Sequence, residues 1–543
     1  MPRWFNQNFN FMTLIDRLTQ FLLPAMPESD IGDYPFVASD VALYRRTLER
    51  DGGALDAQTW DDMLLPQYSA QLARGTSILG QQELHRRLHA PADLGAQVSP
   101  VSPVSASAAR VRTLVDDGEL RRQLLTACVG LRRADREVSE TLFGPEPAPA
   151  PRWAARLPWL PVAFLLSAVL ALVSGFLPLW GVTLGLWLSL SLVQVRFGEA
   201  AAEWPRILET LQQMLRAHTL LSKIDVAMTA ELRDDAGRAG KVNRGIGRSP
   251  LANMPGVREY SDWLWLMNIR HYFASRELVR ANLDLLRASF QRVAALEADL
   301  ALARHLADTP RYCWAVQGPG VALADAVHPL LAEPAPLSFA MERQGAFISG
   351  QNGIGKSTLL RTVGLNLIVA RAFGFCYADS AVTPSLPVYS SMQNEDALEG
   401  GESLYIAELR RARELLALAG QAPAIFIIDE IFRGTNHLES ISAAAAVLHT
   451  LSASGRVIVS SHNLVLAPLL REALAPWCVS RVDGRLLLAP GVLKETNGIA
   501  LLAARGFDAA ISAKANRVYD WLSDYMAHPA DCEAVLVATE LSV

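Results

Sequence analysis

The chain has 543 residues, of which 51% are hydrophobic and only 19% charged, with a formal net charge of −5. This composition excludes a mainly disordered chain, which would be rich in charge and poor in apolar residues. Five scattered cysteines, Cys128, Cys313, Cys376, Cys478 and Cys532, exclude a disulfide-stapled secreted domain and a CxxC-type zinc site. From Leu330 onward 16 Lys+Arg stand against 21 Asp+Glu, and the part before it holds 34 of each, so neither half has the basic composition that nucleic-acid binding usually leaves.

The length predicts more than one domain, and the texture divides the chain into four parts. Residues 1–150 read as an N-terminal helical, core-like region. In it, Thr76–Leu88 opens with a Thr or Ser cap and sets Leu79, Leu84 and Leu88 near one face. Arg110–Arg136 has a similar pattern, and the Pro-rich Gly144–Pro151 is a linker. Asp16 and Arg17 interrupt the apolar residues of Met1–Pro24, so no cleaved leader is expected.

From Leu157 to Val195 the chain contains no Asp, Glu, Lys or Arg. That run is about twice the roughly 20 residues needed to cross a bilayer. Gly175 and Pro178 break it, which predicts a transmembrane hairpin over 157–195 with spans near Trp159–Phe176 and Leu179–Val195. Arg152 and Arg156 before it and Arg196 after it place the soluble parts in the cytoplasm, on an inner (cytoplasmic) membrane, by the positive-inside rule. The alternative is a hairpin buried in the core of a soluble domain. Residues 199–315 read as a helical lever or arm, with long helical patterns over Ala200–Lys223 and Arg258–His305, and with Asp234–Pro255 as an exposed loop rich in Gly, Arg, Asn and Pro. From about residue 316 to 543, short β-branched or apolar runs (Ala346–Ser349, Ile425–Ile428, Val457–Ser460) alternate with helices, which predicts an α/β domain with a largely parallel sheet.

That last domain carries the chemistry. Gly350-Gln351-Asn352-Gly353-Ile354-Gly355-Lys356-Ser357 satisfies the phosphate-loop pattern GxxxxGK[ST], after a strand and before the helical run Thr358–Ala372. Gly350, Asn352, Gly353 and Gly355 let the backbone turn its N–H groups toward phosphate oxygens, and the helix start at Lys356, Ser357 and Thr358 adds positive potential. Lys356 suits the β- and γ-phosphates and Ser357 a Mg²⁺ ion. The apolar run Ile425–Ile428 ends in Asp429 and Glu430, which suits Asp429 to the metal and Glu430 to polarising the attacking water as general base. Val457–Ser461 ends in His462, a candidate to contact the γ-phosphate or orient that water. Glu399-Gly400-Gly401-Glu402-Ser403 leads into a predicted helix Leu404–Ala417, and a Gly-Gly-x-Ser turn at a helix start is an anion-binding geometry.

On these residues the chain resembles the MutS family of DNA mismatch-repair ATPases. DEIFRGTN (Asp429–Asn436) is similar to the family's acid-pair motif followed by Arg-Gly-Thr, GESLYIAELRRARELL (Gly401–Leu416) to its signature helix, and SSHN (Ser460–Asn463) to its Thr-His motif. Val327–Leu331 resembles its His-Pro turn, Lys494–Gly506 the segment after its last strands, and Thr76–Pro91 the start of its helical core. The sequence departs from the repair members in reading GQNGIGKST at the phosphate loop and in carrying Phe432 where they have Gly. The stretch before Thr76 is too short for the family's mismatch-reading and connector domains together.

The resemblance implies a mainly helical core and lever region with the membrane hairpin, followed by a C-terminal α/β P-loop NTPase domain. It implies ATP and Mg²⁺ as cofactors and a homodimer in which Ser403 acts in trans on the partner's nucleotide. DNA, mismatched or branched, is the ligand the family suggests. Two other readings stay open: a membrane-tethered assembly switch that binds unknown protein partners, and an ATPase of the ABC-transporter type.

Overall fold

A computed structural model describes residues 36–48, 55–89, 103–146, 149–247, 257–342, 344–392, 404–433, 436–493, 511 and 513–518. The chain forms two compact units that are not linear blocks of sequence: one comprises 1–47, 73–82 and 123–297, the other 48–72, 83–122 and 298–543.

The first unit is helical among its described residues. Its longest element is one continuous helix, Leu177–Leu221, of 45 residues. The sequence predicts a span ending near Val195 and a separate helix from Ala200; instead the helix runs without a break through Gly198 and even Pro205. Among the described residues only this helix is both long and apolar enough to cross a bilayer; its companion, Trp159–Ser174, has 16 residues. The two expected spans are therefore an unequal pair, joined at Gly175, whose φ of +65° lies in the left-handed region. They touch where Thr183 Oγ1 donates to Ser167 Oγ at 3.1 Å. The apolar half of the long helix is mostly exposed, with 11% of its most apolar 18 residues buried, while its second half buries Leu208, Leu211, Met214, Leu215 and Leu221.

The expected loop Asp234–Pro255 is helix over most of its described part, within Ala230–Ile246. Its Gly and Arg residues hide an amphipathic stripe, Leu232, Ala239, Val242 and Ile246, whose burial outweighs the poor propensity of glycine. The long pattern Arg258–His305 resolves into Val257–Leu264, Met267–Ala281 and Leu283–Ala307. At the start of Ile78–His89, Glu297 does the capping work: its buried carboxylate accepts the N–H of Ser77 (2.8 Å), the N–H of Gly80 (3.1 Å) and the hydroxyl of Ser77 (2.5 Å). Leu79, Leu84 and Leu88 are all buried, as their spacing predicts.

The second unit is built on a mixed ten-stranded sheet. Five neighbouring strands, Val388–Ser391, Ile425–Asp429, Arg456–Ser460, Gly345–Gly350 and Leu474–Val482, run parallel in that order. Beyond Leu474–Val482 the pairing turns antiparallel at Arg485–Pro490, and parallel and antiparallel pairings mix in the remaining strands, so the sheet is mixed, with a parallel majority. The central strands Ile425–Asp429, Arg456–Ser460 and Gly345–Gly350 are buried on both faces, which is why they read as unbroken apolar runs, whereas Leu474–Val482 is exposed at its end. Phe426, Ile428, Val457 and Val459 pack with Leu415 of helix Leu404–Ala419 and Leu448 of helix His437–Ser454. Ile427 points to the other face, toward helix Lys356–Phe373, where a Cβ on Gly364 would lie 2.9 Å from the Ile427 side chain and 2.4 Å from Met63 Sδ. Helix Ala57–Asp62 belongs to this unit because Thr59 Oγ1 accepts the N–H of Ser390 at 2.8 Å, and Asp62 accepts from Ser390 Oγ (2.8 Å) and Met392 N (2.9 Å).

Candidate nucleotide-binding site

Three neighbouring parallel strands deliver the polar residues to one end of the sheet. Gly345–Gly350 leads into the phosphate loop, Ile425–Asp429 into Glu430, and Arg456–Ser460 into His462. Ser460 is paired in register with Asp429, and the next backbone link, Glu430 N–H to Ser460 O at 3.0 Å, carries the alignment one residue past the strands. In open α/β sheets, ligands collect at this carboxyl end.

The loop needs its glycines. Gly353 has φ +75° and Gly355 φ +107°, the latter as N-cap of helix Lys356–Phe373. Gln351, Asn352 and Thr358 are exposed and Ser357 is half-buried. The first helical turn therefore offers its N–H groups and two hydroxyls to an anion. Lys356 is buried, with Nζ donating to the carbonyls of Gly350 (3.0 Å) and Gln351 (3.3 Å), and 3.5 Å from His462 Nε2. Burial draws its pKa down, and the charges of Glu430 and Asp429 act the other way.

Glu430 is the centre of the acid side. His462 Nε2–H donates to its Oε1 at 2.9 Å, and Arg433 Nη1 pairs with its Oε2 at 3.1 Å. Burial pushes its carboxyl up, but the hydrogen bond from His462 and the charges of Arg433, His462 and Lys356 outweigh that and hold it below the ordinary glutamate range. Glu430 and Phe432 both take positive φ, +56° and +57°, so the chain turns sharply past the strand and returns Arg433 toward the acid. The Arg433 N–H is in turn accepted by Glu408 Oε2 of helix Leu404–Ala419 at 2.9 Å. Asp429 is buried and accepts from the Ser460 hydroxyl through Oδ1.

The pair proposed for a metal fits a hard divalent cation. Asp429 Oδ1 is steadied by Ser460, Ser357 supplies a hydroxyl, and Mg²⁺ is commonly held by one or two such oxygens together with phosphate and water. Among the described residues no cluster of three or more His, Cys, Asp or Glu forms a self-sufficient metal cage.

The structure thus brings together Gly350, Lys356, Asp429, Glu430 and His462, drawn from three strands. Ser403, with the turn Gly400–Gly401, lies outside the described residues, as do Gly434, Thr435 and Lys494–Gly506. Three contributors are not evident from strand patterns: the Ser460 hydroxyl, Arg433 on Glu430, and Glu408 on Arg433. A cavity of ≈ 430 Å³ beside the loop is also new, lined by Gly355, Thr358, His328, Leu337, Arg481 and Leu486 among others. His328 is 3% exposed; its Nδ1 accepts the Leu330 N–H at 3.4 Å, which leaves the proton on Nε2, an atom with no protein partner. Burial, with the Arg361 charge, lowers its pKa to about 4.

A phosphate loop, an acid-ended strand and a histidine-ended strand side by side on a parallel sheet form the arrangement of the P-loop class. Within that class, residues 346–477 match the family described as MutS domain V. Over 192 residues the chain is 33% identical to the "Endonuclease MutS2" of Thermus thermophilus, covering 34% of this chain and 23% of that protein. It is 28% identical over 188 residues to a "DNA mismatch repair protein MutS" from another strain of Thermus thermophilus, covering 33% and 22%. The match to the "Endonuclease MutS2" of Gemmatimonas aurantiaca is longer, 24% identity over 294 residues, covering 49% and 36%. Residues 346–477 thus carry the MutS domain V pattern. The chain spans between about a fifth and somewhat over a third of the length of these three relatives.

Proposed function

We propose that the protein is a membrane-anchored ATPase of the MutS type, which binds ATP with Mg²⁺ and hydrolyses it at an interface between two copies. The observation that carries this reading is the convergence of Lys356, Asp429, Glu430 and His462 at the mouth of one parallel sheet, with a complete phosphate loop. The loop N–H groups and Lys356 bind the phosphates, and turning Lys356 Nζ from the Gly350 and Gln351 carbonyls to phosphate oxygens needs only side-chain rotation. Mg²⁺ held by Ser357 and Asp429 would neutralise charge developing on the transferred phosphoryl group. Glu430, kept ionised by His462 and Arg433, accepts the proton of the attacking water, and His462 fixes its orientation. The cavity at His328 and Leu337 suits the nucleoside.

Ser403 would complete the site from the second copy, and the helical arms would convert nucleotide state into a grip on DNA, by kinship with relatives named for mismatch repair. The balanced charge of the chain before Leu330, 34 groups of each sign, favours as a second reading an assembly switch whose partners are proteins. Anchoring is supported by the exposed apolar half of Leu177–Leu221, where Leu192 is 70% and Val195 82% exposed, an arrangement that water would penalise. The chemistry is tested by Lys356→Ala and Glu430→Gln: Mg-ATP hydrolysis should fall by roughly 10²-fold or more in each. Glu430→Gln should keep ATP binding, and full turnover in either variant overturns the reading. Retention of the chain in a carbonate-washed membrane fraction tests the anchor. Salt-dependent binding of duplex, mismatched and branched DNA by the detergent-purified protein separates the DNA reading from the assembly switch.

A further inference from the structure

We infer that the foot of the apolar helix pair carries a lipid-headgroup collar: the exposed rings of Trp153, Tyr260, Trp263 and Trp265 lie in the interface of an anionic bilayer, and Arg152, Arg156 and Arg196 face its phosphates. The inference rests on the anchoring reading and adds to it a depth and a lipid class.

The foot of the pair is located by packing. Leu157 before the first helix, Leu190 and Ala201 in the second, and Leu266, Ile269 and Phe273 share one buried cluster. The Trp153 ring lies 5.5 Å from Phe197 and 5.6 Å from Phe273, and the Arg196 guanidinium sits 5.3 Å over the Phe197 ring. Both limbs of the pair therefore regain charge at the level of this cluster. Above it no charged side chain occurs between Leu157 and Val195, and Leu172 and Val173 near the turn are 70% and 82% exposed.

Large aromatic rings left open at that level call for a medium that is neither water nor hydrocarbon. Tyr260 is 78%, Trp263 53% and Trp265 38% exposed, on or just after helix Val257–Leu264, while the adjoining Leu266 is fully buried in the cluster. Trp153 is 42% exposed beyond its contacts with Phe197 and Phe273. Trp and Tyr, with an apolar body and one polar atom, gather where headgroups meet acyl chains. Arg152, Arg156 and Arg196 are exposed, and among the described residues none of them is in an ion pair. The nearest acids in sequence are Glu146, six residues before Arg152, and Glu199, one turn past Arg196. Three arginines on both limbs at one level complement a surface of phosphodiesters carrying net negative charge.

The test uses the full chain in proteoliposomes of phosphatidylcholine with a stepped fraction of phosphatidylglycerol. Nitroxide quenchers are placed either on the headgroup or deep on the acyl chain. The tryptophan signal lost in Trp263→Phe/Trp265→Phe should be quenched severalfold more by the headgroup label than by the deep one. Equal absence of quenching in vesicles that retain the protein after a carbonate wash, or stronger quenching by the deep label, overturns the collar and leaves the anchor standing. Release of the protein by carbonate overturns the anchor itself. In Arg152→Gln/Arg156→Gln/Arg196→Gln, the phosphatidylglycerol fraction that half-develops the signal should rise, in line with a roughly fivefold loss of attraction per arginine; an unchanged fraction overturns the anionic assignment.

Discussion

Two helices of similar apolar character meet opposite fates in this molecule. Helix Lys356–Phe373 buries nearly every side chain after its first turn, among them Leu360, Val363, Leu367 and Val369. The first half of Leu177–Leu221 leaves Leu184, Leu188, Leu192 and Val195 open. The difference lies in what surrounds each helix. The first is sandwiched against a sheet whose strands are apolar on both faces, with Gly364 allowing close approach to Ile427 and Met63. The second has a 16-residue companion along its apolar half and meets further protein only toward its foot, at Leu266, Ile269 and Phe273. Apolar composition thus predicts desolvation in both, and only the neighbours decide whether protein or another medium supplies it.

One substitution placed in each helix breaks or sharpens that contrast most strongly. Val363→Asp puts a carboxylate where exposure is zero and should unfold the sheet-bearing unit, a cost of at least several kcal/mol, seen as loss of its cooperative melting transition. Val173→Asp, at a position 82% exposed, should leave melting in detergent within about 0.5 kcal/mol of the parent and weaken retention in the bilayer. Equal thermal damage from both would show that the apolar pair is buried in protein.

The next effect is smaller and depends on pH. Burial raises the Asp62 carboxyl to about 6, against the pull of its bonds from Ser390 and Met392 and the charges of Arg411 and Arg361, and its Oδ1 has no partner. A raised acid favours the fold while protonated. That contribution is complete below about pH 4 and is lost as pH rises through 6, a change on the order of 2–3 kcal/mol. Asp62→Asn should therefore be stabilising at pH 7–8 and nearly neutral at pH 4, in urea midpoints taken across that range. An unchanged pH slope would sink the assignment. The smallest effect belongs to Asn436, whose side chain accepts the Glu439 N–H at 3.0 Å to cap helix His437–Ser454. Asn436→Ala should cost about 1 kcal/mol in denaturant unfolding.

The parts legible in the sequence are those that local chemistry determines. A phosphate loop needs glycines with positive φ before a helix, and Gly353 and Gly355 supply them within one short loop. Strands buried on both faces announce themselves as apolar runs, so Ile425–Asp429 and Arg456–Ser460 could be read directly with the acid and histidine that follow them. Whatever depends on distant partners was hidden. Arg411 reads as one more arginine on an amphipathic helix, yet it is buried, with Nε donating to Ser390 O at 2.9 Å and Nη2 lying 3.2 Å from Asp56. His328 faces a cavity that closes only when Arg481 and Leu486, far along the chain, come to line it. The helix Ala230–Ile246 was masked because propensity counted its glycines while its buried stripe depended on helices elsewhere in the unit. The junction between Val195 and Ala200 misled for the opposite reason. A change from apolar to charged residues resembles an element boundary, but the backbone hydrogen bonds do not register it.

That uninterrupted helix has a torsional consequence. At about 1.5 Å per residue, Leu177–Leu221 is a rod of roughly 68 Å, and each residue turns it by about 100°. Its outer half and its protein-packed half therefore share one angular phase. Inserting a single residue near Gly198 would swing Trp180 and Trp187 around the axis by about 100° relative to Leu208 and Leu211, without changing either surface in composition. Inserting seven would nearly restore the phase and lengthen the rod by about 10 Å. Rotation at one end is thus reported at the other, as by a shaft with no slip joint.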